Sequence, residues 1–441
     1  MTELGGWHIN TLTIENFRCF DRLKIDFDKS MTVLVGVNGA GKTSILDALA
    51  VMVSTVLREF EGPGRGFSTQ DAREIPYDLK SESSVARMEP VYPVSGTVHG
   101  TLSGRDYQWS RTRSSAKGRT SWSDRDSALS PDLALLWSGP DESSSDEPLL
   151  PVIALYGVER LTGVRKASGA ISRSRAGAYD AALDGKSDFS RLSSFIEALT
   201  MAEFVAVRKG ETAQAASNQL RAITLACNAI LAETGWRNPE WSPITGEIAL
   251  THAEHGTLPL SFMSSGTKIA AGLVIDLVSR MARANPSLGA DDLLARVPGI
   301  VMIDEVELHL HPTWQQRILS GLQGVFPRVQ FIVTTHSPQV LSTVDATSIR
   351  IIDVAEVRGA EYAAGLRSDI ILERILGTRS EPPLDINRNL DRYMDLVEAG
   401  EGETASTKKL REKLDEELGG VNNVPRLADA DAFIAFYDLD D

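Results

Sequence analysis

Only two cysteines, Cys19 and Cys227, occur in 441 residues, far apart and in no metal-ligand spacing. That excludes a disulfide framework and a zinc knuckle, and it fits a reducing cytoplasm. Basic residues are in deficit too. The formal charge is −15, so bulk attraction to nucleic acid is excluded and any such contact has to come from local patches. Long apolar runs are missing. The most apolar one, residues 48–57, is bounded by Asp47 and Arg58 and is far short of the roughly 20 residues a bilayer span needs. The opening MTELGGWHIN has no basic region ahead of an apolar core, so no secretion signal is read there and no membrane role is expected. No heptad pattern lasts several turns, which leaves out a long coiled coil, and no internal repeat is present.

What is present is ordinary globular material, 42% hydrophobic and 24% charged, long enough for one large domain or two to three smaller ones. Residues 9–14 and 23–27 alternate as two strands around Asn16-Phe17-Arg18-Cys19-Phe20. Residues 31–35 read as a buried strand, followed by a Gly-rich turn and a helix over 43–59. Residues 62–151, rich in Ser, Gly, Pro and Arg, carry strand signals at 91–99 and 107–113 and a short helix at 133–137, with 141–146 expected to be mobile. A buried strand is expected at 151–156, helices at 189–204 and 220–233, and helices in the acidic tail at 389–398, 407–418 and 427–436.

The sharpest motif is Gly36-Val37-Asn38-Gly39-Ala40-Gly41-Lys42-Thr43, with Ser44 next, placed after a strand and opening a helix as a P-loop requires. Glycines let the backbone wrap round phosphates so that N–H groups point inward at the helix N-terminus. Lys42 then reaches the β- and γ-phosphates, and the Thr43 hydroxyl stands ready for Mg²⁺. A second motif is the apolar strand at 299–303, which ends in Asp304 and Glu305. A buried strand ending in two carboxylates must face a cation or water. Asp304 suits the magnesium shell, and Glu305 suits a general base that orients the attacking water. Ser264-Ser265-Gly266-Thr267, just before the apolar periodic stretch 269–281, reads either as an anion site or as a plain N-cap. His336, at the end of the apolar run 329–335, reads either as a γ-phosphate contact or as a cap of the next turn.

P-loop, Ser-Ser-Gly turn, Asp-Glu strand end and strand-end histidine stand in the order of an ABC ATPase, and the set resembles the RecF, SMC and OLD-like branch rather than transporters. Asn16 to Phe20 looks like that branch's first hairpin, and Asp304-Glu305-Val306-Glu307-Leu308-His309-Leu310-His311-Pro312 like its extended Walker B segment. Those strings, with Ala154-Leu155-Tyr156-Gly157-Val158-Glu159-Arg160-Leu161 and Phe331-Ile332-Val333-Thr334-Thr335-His336-Ser337-Pro338, resemble the PtuA ATPases of Septu anti-phage systems and of some retrons.

The resemblance implies an α/β fold: an ABC-type ATPase head with a mixed core sheet, antiparallel β subdomain, helical insertion and helical C-terminal region. It implies an ATPase domain over residues 1–353, with core lobes at 1–60 and 259–353, a β subdomain at about 61–160 and an insertion at about 161–258. Residues 354–441 would form a helical acidic region available for partner docking. Ser264, Ser265 and Gly266 would act as a signature in trans, His336 as the switch histidine, and Arg18 as an arginine near the nucleotide. ATP and Mg²⁺ are the implied cofactors. The partners would be a second copy of the chain, stacked head to tail, and a separate HNH-type nuclease resembling PtuB. The signature departs from the Ser-Gly-Gly-Gln of transporters, and no Q-loop glutamine follows Tyr156, Glu159 standing in that neighbourhood.

The remaining features are open to plainer readings. His309 and His311, two apart, would stand more than half a turn apart on a helix, which argues against zinc there. By resemblance they belong to a dimer-contacting loop. Arg105, Arg111, Arg113, Lys117 and Arg119 interleave with Tyr107, Trp109 and Trp122, which suits either nucleic acid or a solvated loop. Arg165, Lys166, Arg173 and Arg175 carry the same two readings, and Asp438, Asp440 and Asp441 read as a solvated end. No HNH motif is present and no room remains for a Toprim nuclease after His336, so the chain is not expected to cut DNA. The leading expectation is an ATP-hydrolysing regulatory subunit of an anti-phage defence system. The alternatives are a RecF-like or SMC-like DNA-binding repair ATPase and a nucleotide-binding scaffold with little turnover.

Overall fold

In a computed structural model of the chain, residues 6–76, 88–124, 128–138, 148–159, 174–185, 189–353, 356–379 and 381–437 are described. The expected mobile segment 141–146, the basic residues Arg165, Lys166 and Arg173, the string end Arg160-Leu161, and Asp438, Asp440 and Asp441 lie outside them. Two compact units result, Met1–Leu376 and Gly377–Asp441.

The first unit is α/β. Its opening strands β1 (His8–Phe17), β2 (Phe20–Asp26) and β3 (Met31–Val35) lead into helix α1 (Lys42–Glu59). A small hairpin, β4 (Glu74–Pro76) with β5 (Met88–Pro90), precedes β6 (Val94–Leu102), β7 (Arg105–Arg113), β8 (Ser121–Asp124), α2 (Leu129–Ser138) and β9 (Val152–Tyr156). Helices α3 (Phe189–Lys209) and α4 (Gln214–Ile230) come next, then β10 (Arg237–Ser242), β11 (Glu247–His252) and β12 (Gly256–Pro259). The long helix α5 (Ser265–Ala284), α6 (Ala290–Arg296), β13 (Gly299–Ile303), α7 (Pro312–Gln315), α8 (Ile318–Val325), β14 (Val329–Thr334) and α9 (Pro338–Leu341) follow, and β15 (Ile349–Ile352), β16 (Val357–Gly359) and α10 (Ser368–Arg374) complete the unit.

The core is a six-stranded sheet in the order β16-β15-β3-β14-β13-β9. All its pairings are parallel except that of β16. Strands β3, β14 and β13 are buried at every position because both faces are covered, which is why they read as apolar runs rather than as alternation. Alternate residues still separate the two sides. Val301 and Ile303 pack with α4 and α5, whereas Ile300 and Met302 pack with α1 and the strands of a second sheet. That second sheet is antiparallel, in the order β2-β1-β6-β7-β8, so strands from both ends of the segment 8–124 join in it. Gln330, fully buried in β14, ties the sheets together: its side chain accepts from the Ile9 N–H and donates to the carbonyls of Ile9 and Asp28.

Two findings go beyond the sequence expectations. Residues 237–259, within the stretch expected to be helical, form a three-stranded antiparallel sheet, β10-β11-β12. The aromatic and basic interleaving at 105–113 is not a basic surface; it is strand periodicity. Tyr107, Trp109 and Arg111 share the buried face of β7. Trp109 donates its indole N–H to the Met52 carbonyl, and Arg111 donates to the hydroxyls of Ser54 and Thr55 at 3.1 Å each. Arg113 is spent on the carbonyls of Phe67 and Ala116, and Arg105 on Asp132. Burial lowers the Arg111 pKa, with Arg58 adding to the effect, and among the described residues no carboxylate pairs with it. Arg111→Ala is therefore expected to cost roughly 2–4 kcal/mol, because it empties a packed site and strips two hydroxyls of their donor. Urea unfolding followed by tryptophan fluorescence measures this. A normal midpoint together with lost DNA binding would restore the surface reading.

The second unit is all helical: α11 (Asp385–Glu398), α12 (Ala405–Leu418) and α13 (Pro425–Tyr437) enclose a small core of Leu390, Tyr393, Val397, Leu414, Leu427 and Ala430. Arg411 braces it, reaching Asp415 along its own helix and Asp431 on the neighbouring one.

Candidate nucleotide site

In the core sheet β3, β14, β13 and β9 are parallel, so their C-terminal ends share one edge, the usual place for a ligand on an open α/β sheet. From the end of β3 the chain turns through residues 36–41 into α1. Gly41, the N-cap of α1, has φ 95°, and a Cβ there would stand 2.3 Å from the Phe20 ring. Glycine is therefore required on two counts. The Lys42 ammonium donates to the carbonyls of Gly36 (2.9 Å) and Val37 (3.1 Å), folded back over the loop it follows. Burial lowers the Lys42 pKa, opposed by the charges of Asp304, Glu305 and Glu307.

At the end of β13, the buried Asp304 accepts a hydrogen bond from the Thr43 hydroxyl (2.9 Å) on one carboxylate oxygen and from the Thr334 hydroxyl (2.6 Å) on the other. The Thr334 oxygen in turn accepts from the Glu305 N–H at 2.7 Å, and Glu305 takes φ 46°. β14 lies between β3 and β13, so Thr334 stands between the P-loop and the two carboxylates. Its role was not foreseen, since strand order is not written locally in the chain. Asn38, Gly39, Gly41, Lys42, Thr43, Ser44, Asp304, Glu305, Thr334 and His336 line one cleft of about 340 Å³, together with Arg18 and Cys19. A hydroxyl and a carboxylate in contact at its floor are a hard-oxygen donor pair of the kind Mg²⁺ takes beside phosphates.

Arg18 borders the cleft with its guanidinium held by Asp47 (2.7 Å) and Asp71 (2.9 Å). Burial alone would lower its pKa, but these two carboxylates outweigh it and raise the value. Asp47 is shared with Arg65 at 2.7 Å. A second cleft, about 620 Å³, opens on the other side of Thr43 and Asp304 and is bordered by Asp47, Arg65, Glu159 and Asp184. Glu159 thus lines the same cleft as Thr43 and Asp304, in the neighbourhood where no glutamine follows Tyr156.

Ser264, Ser265 and Gly266 do not line the nucleotide cleft. Ser264 is the N-cap of α5, accepting from the Thr267 N–H, so the cap reading is realised while Ser264 and Ser265 stay exposed. A Cβ on Gly266 would stand 2.5 Å from the His309 carbonyl oxygen, so only glycine lets the start of α5 lie against the loop that follows Glu305. His336 does not cap the next turn. Ser337 does, accepting from the Val340 N–H, and His336 is left half-buried in the cleft. His309 is exposed and His311 caps α7, accepting from the Thr313 N–H.

A family model described as "AAA domain" matches residues 11–234, more than half of the chain. The chain belongs to that family. A second model, "AAA domain, putative AbiEii toxin, Type IV TA system", matches residues 192–342. This AAA-domain chain is 25% identical to the Retron Ec83 probable ATPase of Escherichia coli, over 95% of its own length and 85% of the relative's. It is 22% identical to the Septu protein PtuA of Bacillus thuringiensis, over 88% and 89%. The SMC head domain from Thermotoga maritima aligns with 80% of this AAA-domain chain and 100% of that one, at TM-score 0.42 and 16% identity. No helix among the described residues is long and apolar enough to cross a membrane.

Proposed function

We propose that this chain binds and hydrolyses ATP as the regulatory subunit of an anti-phage defence system, closing head to tail with a second copy and gating a separate HNH-type nuclease. The observation that supports it most is one cleft that gathers Lys42, Thr43, Asp304, Glu305 and His336 while leaving the Ser264–Gly266 turn outside. The retron probable ATPase and the Septu protein PtuA align over 95% and 88% of this chain.

The amides of residues 38–43 and the dipole of α1 receive the phosphates. Lys42 leaves its own loop carbonyls for the β- and γ-phosphate oxygens. Thr43 and Asp304 would hold Mg²⁺, which supplies charge neutralisation at the phosphates. Glu305 orients a water and accepts its proton as the water oxygen bonds to the γ-phosphorus and the bond to the β–γ bridging oxygen breaks. His336 donates to the γ-phosphate. An exposed Ser264-Ser265 pair at a helix N-terminus has the donors to complete the site of a second copy. The large apolar side chains of Val37 and Phe262, 62% and 78% exposed beside the P-loop and the Ser-Ser-Gly turn, are the kind of surface such a contact covers.

Lys42→Ala tests the reading. ATP affinity, followed with a fluorescent nucleotide analogue, is expected to fall about 10-fold or more, as one charge-assisted contact set is lost. Unchanged binding and turnover would remove the cleft from consideration.

A further inference from the structure

We propose that Glu307 is the positioning residue for His336, its carboxylate fixing through the His336 backbone N–H where the imidazole stands in the cleft. The inference rests on the functional reading above and names a further member of the same machinery.

Three contacts lay residues 305–307 alongside 334–336. The Glu305 N–H donates to the Thr334 hydroxyl, the Val306 N–H to the Thr334 carbonyl at 3.0 Å, and the His336 N–H to Glu307 Oε1 at 2.6 Å. Strand pairing runs out at this point. Thr335 N–H still reaches the Leu34 carbonyl at 3.2 Å, and the next amide, His336, is taken by the carboxylate. Of the three contacts only the Glu307 one has a charged acceptor, and such bonds are shorter and roughly twice as strong as neutral ones. On the far side, Ser337 donates to Gln315 Oε1 at 2.6 Å and caps α9, so His336 is clamped in front and behind. Glu307 Oε2 is buried and, among the described residues, finds no hydrogen-bond partner. A buried carboxylate oxygen left unpaired is costly, and a position that only needed to hold an amide would be served by a neutral acceptor. The charge has a use beside the amide: with Asp304 and Glu305, it offsets the burial that disfavours the Lys42 ammonium.

The test compares Glu307→Ala and Glu307→Gln in the full chain. Glu307→Ala is expected to lower kcat for ATP roughly 10- to 100-fold, the penalty of a displaced catalytic group, with KM changed by less than about threefold. Glu307→Gln, whose amide oxygen still accepts from His336, should recover most of that loss. Glu307→Ala combined with His336→Ala should be no slower than His336→Ala alone. A readout without turnover comes from selective ¹⁵N-histidine labelling, since the chain has seven histidines. The His336 amide, identified by its absence in His336→Ala, should move upfield in Glu307→Ala and less in Glu307→Gln. Wild-type kcat in Glu307→Ala, losses that multiply in the double variant, or an unmoved amide would each overturn the proposal. A wild-type chain that turns over no ATP would instead defeat the functional reading, and the amide shift would still decide the Glu307–His336 link.

Discussion

Glu305→Gln is expected to stop turnover while leaving ATP bound, and to convert a transient pairing of two copies into a stable one. The side chain follows a buried strand at φ 46°, and its own N–H is fixed to Thr334, so the backbone that aims it does not depend on the carboxylate. Glutamine keeps size and shape but cannot take a proton from water. Loss of a general base of this kind costs roughly 10²- to 10⁴-fold in kcat. In the proposed site phosphate binding would rest on Lys42 and the P-loop amides, which the exchange leaves alone. If a second copy's Ser264–Gly266 turn closes the cleft, blocked hydrolysis holds the pair shut. Light scattering after gel filtration should then show doubled mass with ATP in Glu305→Gln, with retained nucleotide, and monomer without it. Normal turnover would strip Glu305 of its role. Blocked turnover with unchanged mass would remove the head-to-tail clamp and leave the site as a single-chain one.

What the sequence made legible follows from locality. The P-loop is a run of consecutive residues whose meaning is carried by backbone geometry, so residues 36–44 could be read directly; Asn38, Gly39 and Gly41 to Ser44 line the cleft, whereas Gly36, Val37 and Ala40 do not. Asp304 and Glu305 were legible because charge at the end of a buried apolar strand is physically odd. Thr334 was not, since its importance comes from β14 lying between β3 and β13. The pairing of β1 with β6 joins residues some 90 positions apart, as in Ile9 with Gly100, and no local pattern announces it. The Arg-Trp-Tyr interleaving was open between nucleic acid and a solvated loop; Lys117 and Arg119 are exposed in the β7–β8 loop, whereas residues 105–113 are strand. Basic and aromatic residues at period two look like a stacking surface, but the same period puts Tyr107, Trp109 and Arg111 on one buried face. Ser264 was open between cap and anion site; the cap is seen, and it leaves the backbone amides of the turn beside an exposed hydroxyl pair.

Asp276→Ala is expected to be strongly destabilising to the first unit. Asp276 and Arg280, one turn apart on α5, have side chains only 7% and 8% exposed and meet at 2.7 Å. The same carboxylate oxygen accepts from the Tyr156 hydroxyl at 2.8 Å, at the end of β9. Burial first, and Asp276 second, push the Tyr156 pKa well above its ordinary value, so the phenol remains a donor. Arg280 also donates to the carbonyls of Ala178 and Asp180, and Arg283, one turn on, donates to that of Gly177. The network therefore fastens α5, whose N-terminus carries the Ser-Ser-Gly turn, to β9, which pairs with the β13 strand that ends in Asp304. Removing Asp276 strands the Arg280 charge and the Tyr156 hydroxyl in the interior, and breaking a buried pair from one side costs roughly 3–5 kcal/mol. All seven tryptophans lie before Leu376, so their fluorescence in urea reports the first unit alone. Asp276→Asn, which keeps an acceptor but loses the charge, should fall between wild type and alanine, and Asp276→Ala with Arg280→Met should recover part of the loss by removing the stranded cation. If the alanine variant unfolds at the wild-type midpoint, the network does not hold α5 to β9. A lower midpoint with unchanged ATP affinity per folded molecule would show that it bears on the fold and not on the P-loop.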